Sequence, residues 1–135
     1  MPVFITAYVA TITIFLLIDY VWLAFVAKSF YRDNLGDLML AQPKLGIAAG
    51  FYLMYAIAVV VLAVLPALRA NDWSIALIYG ALIGMAAYGT YDITNLATLK
   101  NWPALVSIVD WAWGTILTGI VSLAAFTVAR LVHGA

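Results

Sequence analysis

The chain has 135 residues, of which 67% are hydrophobic and only 9% charged, with a formal net charge of zero. Soluble domains are about half apolar and about a quarter charged, so this composition excludes a water-soluble core and makes lipid the solvent. Basic residues are few and scattered, which gives no electrostatic case for nucleic acid or for a polybasic lipid-binding segment. The absence of cysteine removes disulfides, thiolate metal sites and thiol nucleophiles. His133 is the only histidine, which removes a bis-histidine haem or a His-rich zinc site within one chain. No metal and no cofactor is expected.

The first predicted element is an apolar run over residues 3–27. It is about twice the length of a signal-peptide apolar region and has no Lys or Arg before it, so it reads as a retained membrane span. Its threonines, Thr6, Thr11 and Thr13, are expected to bond back to their own helix carbonyls. The segment that follows, "KSFYRDNLGDLMLAQ" (residues 28–42), mixes Phe30, Tyr31, Leu35, Leu38 and Met39 with Arg32, Asp33 and Asp37. A partly helical segment lying flat in the interface and an ordinary loop with a few buried side chains both fit, because Gly36 interrupts the helical pattern.

The second span is expected over residues 45–65, introduced by Pro43 and closed by Pro66, since proline suits a helix's first turn and not its interior. The third is expected over residues 74–96, with Asn71 and Asp72 as candidate N-caps. The fourth is expected over residues 103–132, with Pro103 in its first turn. The predicted fold is all-α: a polytopic four-transmembrane-helix bundle, forming one integral membrane domain over residues 1–135. Gly46 and Gly50 form a GxxxG pair, as do Gly80 and Gly84. Both permit close helix contact, read first as packing inside the bundle and second as a homo-oligomer contact.

Four spans place both termini on one side. The connections after the first and third spans hold Lys28, Arg32, Lys44 and Lys100, against Arg69 and Arg130 on the other side. This asymmetry favours termini outside, with an inverted or dual orientation as the alternative.

All six acids are aspartates, and three fall inside the predicted spans. Connectivity puts Asp19, Asp92 and Asp110 in the same half of the bundle, Asp19 and Asp110 each roughly 10–14 Å from the nearest span boundary at 1.5 Å per residue. Charge at that depth costs several kcal/mol and usually faces the protein interior or a wet cavity. Asp92 is further disfavoured by the expected helix C-terminus nearby. Tyr88, Asp92 and Asn95 share one stripe at i, i+4 and i+7. Tyr52 lies at matching depth, Tyr55 a turn deeper, Trp22 three residues after Asp19, and Trp113 three after Asp110. Lys100 is the nearest mobile cation. The candidate site is therefore Asp19, Asp92, Asp110, Asn95, Tyr88, Tyr52, Trp113 and Lys100. The structural alternative is that Asp92, Asn95 and Asp110 only pin the third and fourth spans together, while Tyr and Trp serve as interface anchors.

The stretches "DYVWLAFVAKSFYRDNLG" (residues 19–36), "YGTYDITNLATLKNWP" (residues 88–103) and "VDWAWGT" (residues 109–115) resemble domain-of-unknown-function family 2177, small bacterial membrane proteins. The resemblance covers nearly the whole chain. It implies a multi-pass protein of the bacterial inner membrane with four spans, and it brings no activity, substrate or cofactor.

Four functions fit these residues. The first is a small transporter or channel for protons, cations or a small polar or cationic solute, with the three aspartates as titrating or coordinating groups. The second is a membrane enzyme on a lipid-linked substrate, using the aspartates and Asn95 as oxygen ligands or as general acid and base. The third is an accessory subunit of a larger membrane complex. The fourth is a sensor that binds a hydrophobic or cationic ligand on its aromatic surface.

Overall fold

The computed structural model describes residues 2–134, which are mostly helical, with no strand among them. Helix α1 (Val3–Val21) continues through a wide π turn, Trp22–Val26. Helix α2 (Lys28–Leu35) and a 3-10 turn (Gly36–Leu38) fill most of the first connection. Helix α3 (Leu45–Val59) runs through a second π turn (Val60–Val64) into α4 (Leu65–Ala70). Helices α5 (Trp73–Thr98) and α6 (Ala104–His133) complete the chain. Four runs are long and apolar enough to cross a membrane: Val3–Val26, Leu45–Ala70, Trp73–Thr98 and Ala104–His133. They are called the first to fourth spans below. The protein is an all-α membrane bundle whose outer faces meet lipid.

The second span does not stop at Pro66. Proline removes one helical N–H and crowds the preceding turn. Here the helix has already widened: the Leu65 N–H reaches back five residues to the Val60 carbonyl. The ring of Pro66 enters as the α register restarts. The extra residue in the turn also rotates Val59, Val60, Ala63, Val64 and Ala67 inwards, and all five are fully buried. The span ends instead at Asn71, which takes the left-handed conformation at φ 50°.

Asp72 then caps α5. Its carboxylate accepts from the Ser74 backbone N–H at 2.9 Å and from the Ser74 hydroxyl at 2.6 Å. Those bonds, the hydroxyl's first, hold the Asp72 carboxyl below the usual carboxylate range.

Helices α5 and α6 make the most extensive contact in the molecule. Small residues set this seam. A Cβ on Gly84 would collide with the Gly114 carbonyl, one on Gly80 with Ser122, and one on Gly114 with the Tyr88 ring. With no driving force from water inside a membrane, such close backbone approach supplies the dispersion contact that holds helices together. Thr118 and Ser122 are buried in the same seam; Ser122 returns its hydroxyl to the Thr118 carbonyl at 2.7 Å, and Tyr55 meets the Thr118 hydroxyl at 2.9 Å.

The other GxxxG behaves differently. Gly46 and Gly50 face open space, with no atom within 4 Å of a Cβ added at either. Internal packing was the first expectation for both motifs, and it holds only for Gly80 and Gly84. In α1, Thr6 and Thr11 bond back to Pro2 and Ala7 as expected, whereas Thr13, expected to do the same, is exposed and makes no such bond. At the opposite end of the chain, His133 reaches Thr6 at 2.9 Å and ties α6 to the start of α1.

Candidate functional site

Helix ends bring the site together. Asp19 leaves α1 one turn before the π turn, and that turn swings Trp22 towards α6. The Trp22 and Trp113 rings stack with centroids 4.2 Å apart and planes 9° apart. Their indole N–H groups serve different acids. Trp113 Nε1 donates to Asp19 Oδ1 at 3.2 Å. Trp22 Nε1 donates to the Tyr31 hydroxyl at 3.2 Å, and Tyr31 in turn donates to Asp110 Oδ1 at 2.7 Å. The Tyr52 hydroxyl is the second donor to Asp19, at 3.3 Å to Oδ2.

Asp19 is thus 6% exposed and held by two neutral donors from two other spans. A cavity of about 350 Å³ lies beside it, lined by Asp19, Tyr52, Tyr55, Tyr88, Trp113 and Asp110, with Trp22 and Tyr91 also on its wall. No Lys, Arg or His lines it. Leu23, Phe51 and Tyr91 on the same wall are exposed, so the cavity reaches the surface of the bundle. An apolar groove of about 360 Å³ between α1 and α3 shares Asp19 and Tyr52 with it.

Of the residues singled out by sequence, Asp19, Tyr52, Tyr88, Trp113 and Asp110 line this one cavity. Asp92 lies behind it: fully buried on α5 and next to Asp110. Asn95 is half-buried beyond Asp92 and does not line the cavity, and Lys100 is exposed in the connection between α5 and α6. Asp92 is also further from a helix end than its sequence suggests. Helix α5 runs to Thr98, and the macrodipole acts mainly within the last turn. Among the described residues no three acids or histidines are grouped to hold a metal.

Two contributors escaped the sequence reading. Tyr31 comes from α2, outside the spans, and is buried against Ala27 and Val106. Burial, reinforced by the neighbouring Asp110, pushes its phenol above the ordinary range, so it stays a donor. Ser107 lies one turn into α6. It accepts from Trp102 Nε1 at 2.9 Å and donates to the Asp92 backbone carbonyl at 2.5 Å. The signal for Tyr31 was its place between Phe30 and Leu35 in an apolar-punctuated connection; Ser107 gave none.

No curated protein and no solved structure matches the chain. The profile of a family described as "Predicted membrane protein (DUF2177)" matches residues 4–127, and the chain belongs to that family.

Proposed function

We propose that the protein binds a small organic cation in this cavity, as the loading step of a carrier in the bacterial inner membrane. The observation that carries the reading is Asp19: a nearly buried carboxylate, oriented only by neutral donors, on the wall of an aromatic cavity that holds no basic side chain. An unpaired carboxylate within the membrane attracts a positive group. Aromatic faces add about 0.5–2 kcal/mol for each cation they cover, and they favour an organic cation over a strongly hydrated metal ion. The apolar groove that joins at Asp19 suits a ligand with an apolar body arriving from the lipid side.

Benzyltrimethylammonium is a suitable probe, because Trp22 and Trp113 lie on the cavity wall and report occupancy by fluorescence. Saturable quenching is expected in detergent. Asp19→Asn is expected to weaken binding roughly tenfold or more: the probe's quaternary nitrogen has no N–H to donate, so Asp19 holds it by charge alone, about 4 kcal/mol for unit charges about 4 Å apart at an effective dielectric of about 20. The uncharged carbon isostere of the probe should not compete. Equal binding of probe and isostere, or no quenching at all, would refute a cation site.

A further inference from the structure

Asp92 takes no part in the cavity wall, yet it is the most isolated acid in the molecule. Its side chain is 0% exposed, and neither carboxyl oxygen has a hydrogen-bond partner. The polar groups nearest to it are committed elsewhere. Ser107 donates to its backbone carbonyl, not to its carboxyl, and Trp102 donates to Ser107. Asp110 is the one acid against it. The other titratable groups facing the two acids are Tyr31 from α2 and Tyr91 from α5, with Asp19, Tyr52 and Tyr88 on the cavity side of Asp110. None of these is a cation.

A carboxylate buried without donor or counter-ion costs several kcal/mol, and two ionised carboxylates side by side repel as well. The arrangement therefore lacks one positive charge. A proton between the two acids supplies it and turns the repulsive pair into an O–H···O hydrogen bond. A metal ion fits less well. No third acid or histidine completes a ligand set among the described residues, and one Asp110 oxygen is already occupied by Tyr31.

We infer that Asp92 and Asp110 form a proton-binding site: they hold one proton between them and together carry one negative charge instead of two. Asp110 then has a donor on each side, Tyr31 from α2 and the shared proton from α5. That fixes its charge at the cavity wall. The buried pair is a proton store adjoining the proposed cation cavity, and it stands whether or not that cavity takes a cation.

Infrared spectroscopy of the detergent-purified protein at neutral pH tests this without any ligand. The wild type should show the C=O stretch of a protonated carboxyl, shifted downwards in deuterium oxide. Asp92→Asn should remove the band and leave the melting temperature equal or higher, because its amide still donates to Asp110. Asp110→Asn should move the band, since the Asp92 partner changes from an anion to a neutral amide. A wild-type spectrum with no such band, or a band that survives both substitutions unchanged, would overturn the inference. So would a melting temperature that rises when N-methylglucamine chloride is replaced by sodium chloride and loses that rise in Asp92→Asn, since the bound ion would then be sodium.

Discussion

The same sequence motif meets two fates in this bundle. On α5, Gly80 and Gly84 let α6 approach until there is no room for a methyl group. On α3, Gly46 and Gly50 touch nothing. The difference lies in what faces each glycine. Helix α6 answers α5 with its own small residues, Gly114, Thr118 and Ser122, so two smooth surfaces meet. On α3 the residues that face the first span across the groove are Leu45, Ala48, Ala49, Tyr52 and Leu53, opposite Leu16, Tyr20 and Leu23, so Gly46 and Gly50 lie outside that contact. One half of the bundle closes and the other stands open. The cavity lies where they meet, with Tyr88 seated on Gly114 as one wall and Tyr52 and Asp19 as the other.

The sharpest way to break this contrast is Gly84→Ala. The added methyl meets backbone at Gly114, which cannot swing aside. A loss of about 1–3 kcal/mol is expected from overpacking, read as a lower melting temperature in detergent. Weaker benzyltrimethylammonium binding should accompany it, because the displaced seam carries Tyr88 with it.

A smaller effect is expected at the mouth of the third span. The Asp72 carboxyl is depressed by its Ser74 bonds in the folded protein. A depressed carboxyl contributes stability above its unfolded value of about 3.9 and loses it as pH falls through the folded value. Asp72→Ala should therefore melt lower than wild type at neutral pH, and the gap should close once the pH drops well below that unfolded value.

The smallest effect is expected at Gly50. Gly50→Ala adds a methyl to open space inside a helix and should leave stability unchanged or raise it by less than about 1 kcal/mol, the helix preference for Ala over Gly. A large loss there would mean that the open face is covered by another helix, and sedimentation of the variant against wild type would show the lost oligomer.

Much of this architecture was legible in the sequence. Length and hydropathy suffice for four helices, because a membrane span needs a long apolar run and little else. Depth put Asp19, Asp110 and Tyr52 in one half of the bundle, helical spacing added Tyr88 and Trp113, and all five line one cavity. Depth follows from connectivity, so it needs no knowledge of helix rotation. What depth cannot supply is the facing direction. Asn95 shares a stripe with Tyr88 and Asp92 but lies beyond the cavity, and Lys100 stays in the connection, exposed. Pro66 was misleading for a related reason. A π turn depends on hydrogen bonds five residues apart, and no side chain in "VVLAV" announces it. Tyr31 was missed as a partner of Asp110 because the two are 79 residues apart and Tyr31 lies outside every span.

In the proposed function, Asp19 makes this cavity select positive charge. The absence of native cysteine allows a direct measurement. A single cysteine placed on the wall by Ala87→Cys can be modified by cationic and anionic methanethiosulfonates of similar size. The cationic reagent should react at least tenfold faster, and Asp19→Asn in the same background should remove most of that preference. Equal rates for the two reagents, or a preference untouched by Asp19→Asn, would rule out charge selection by Asp19.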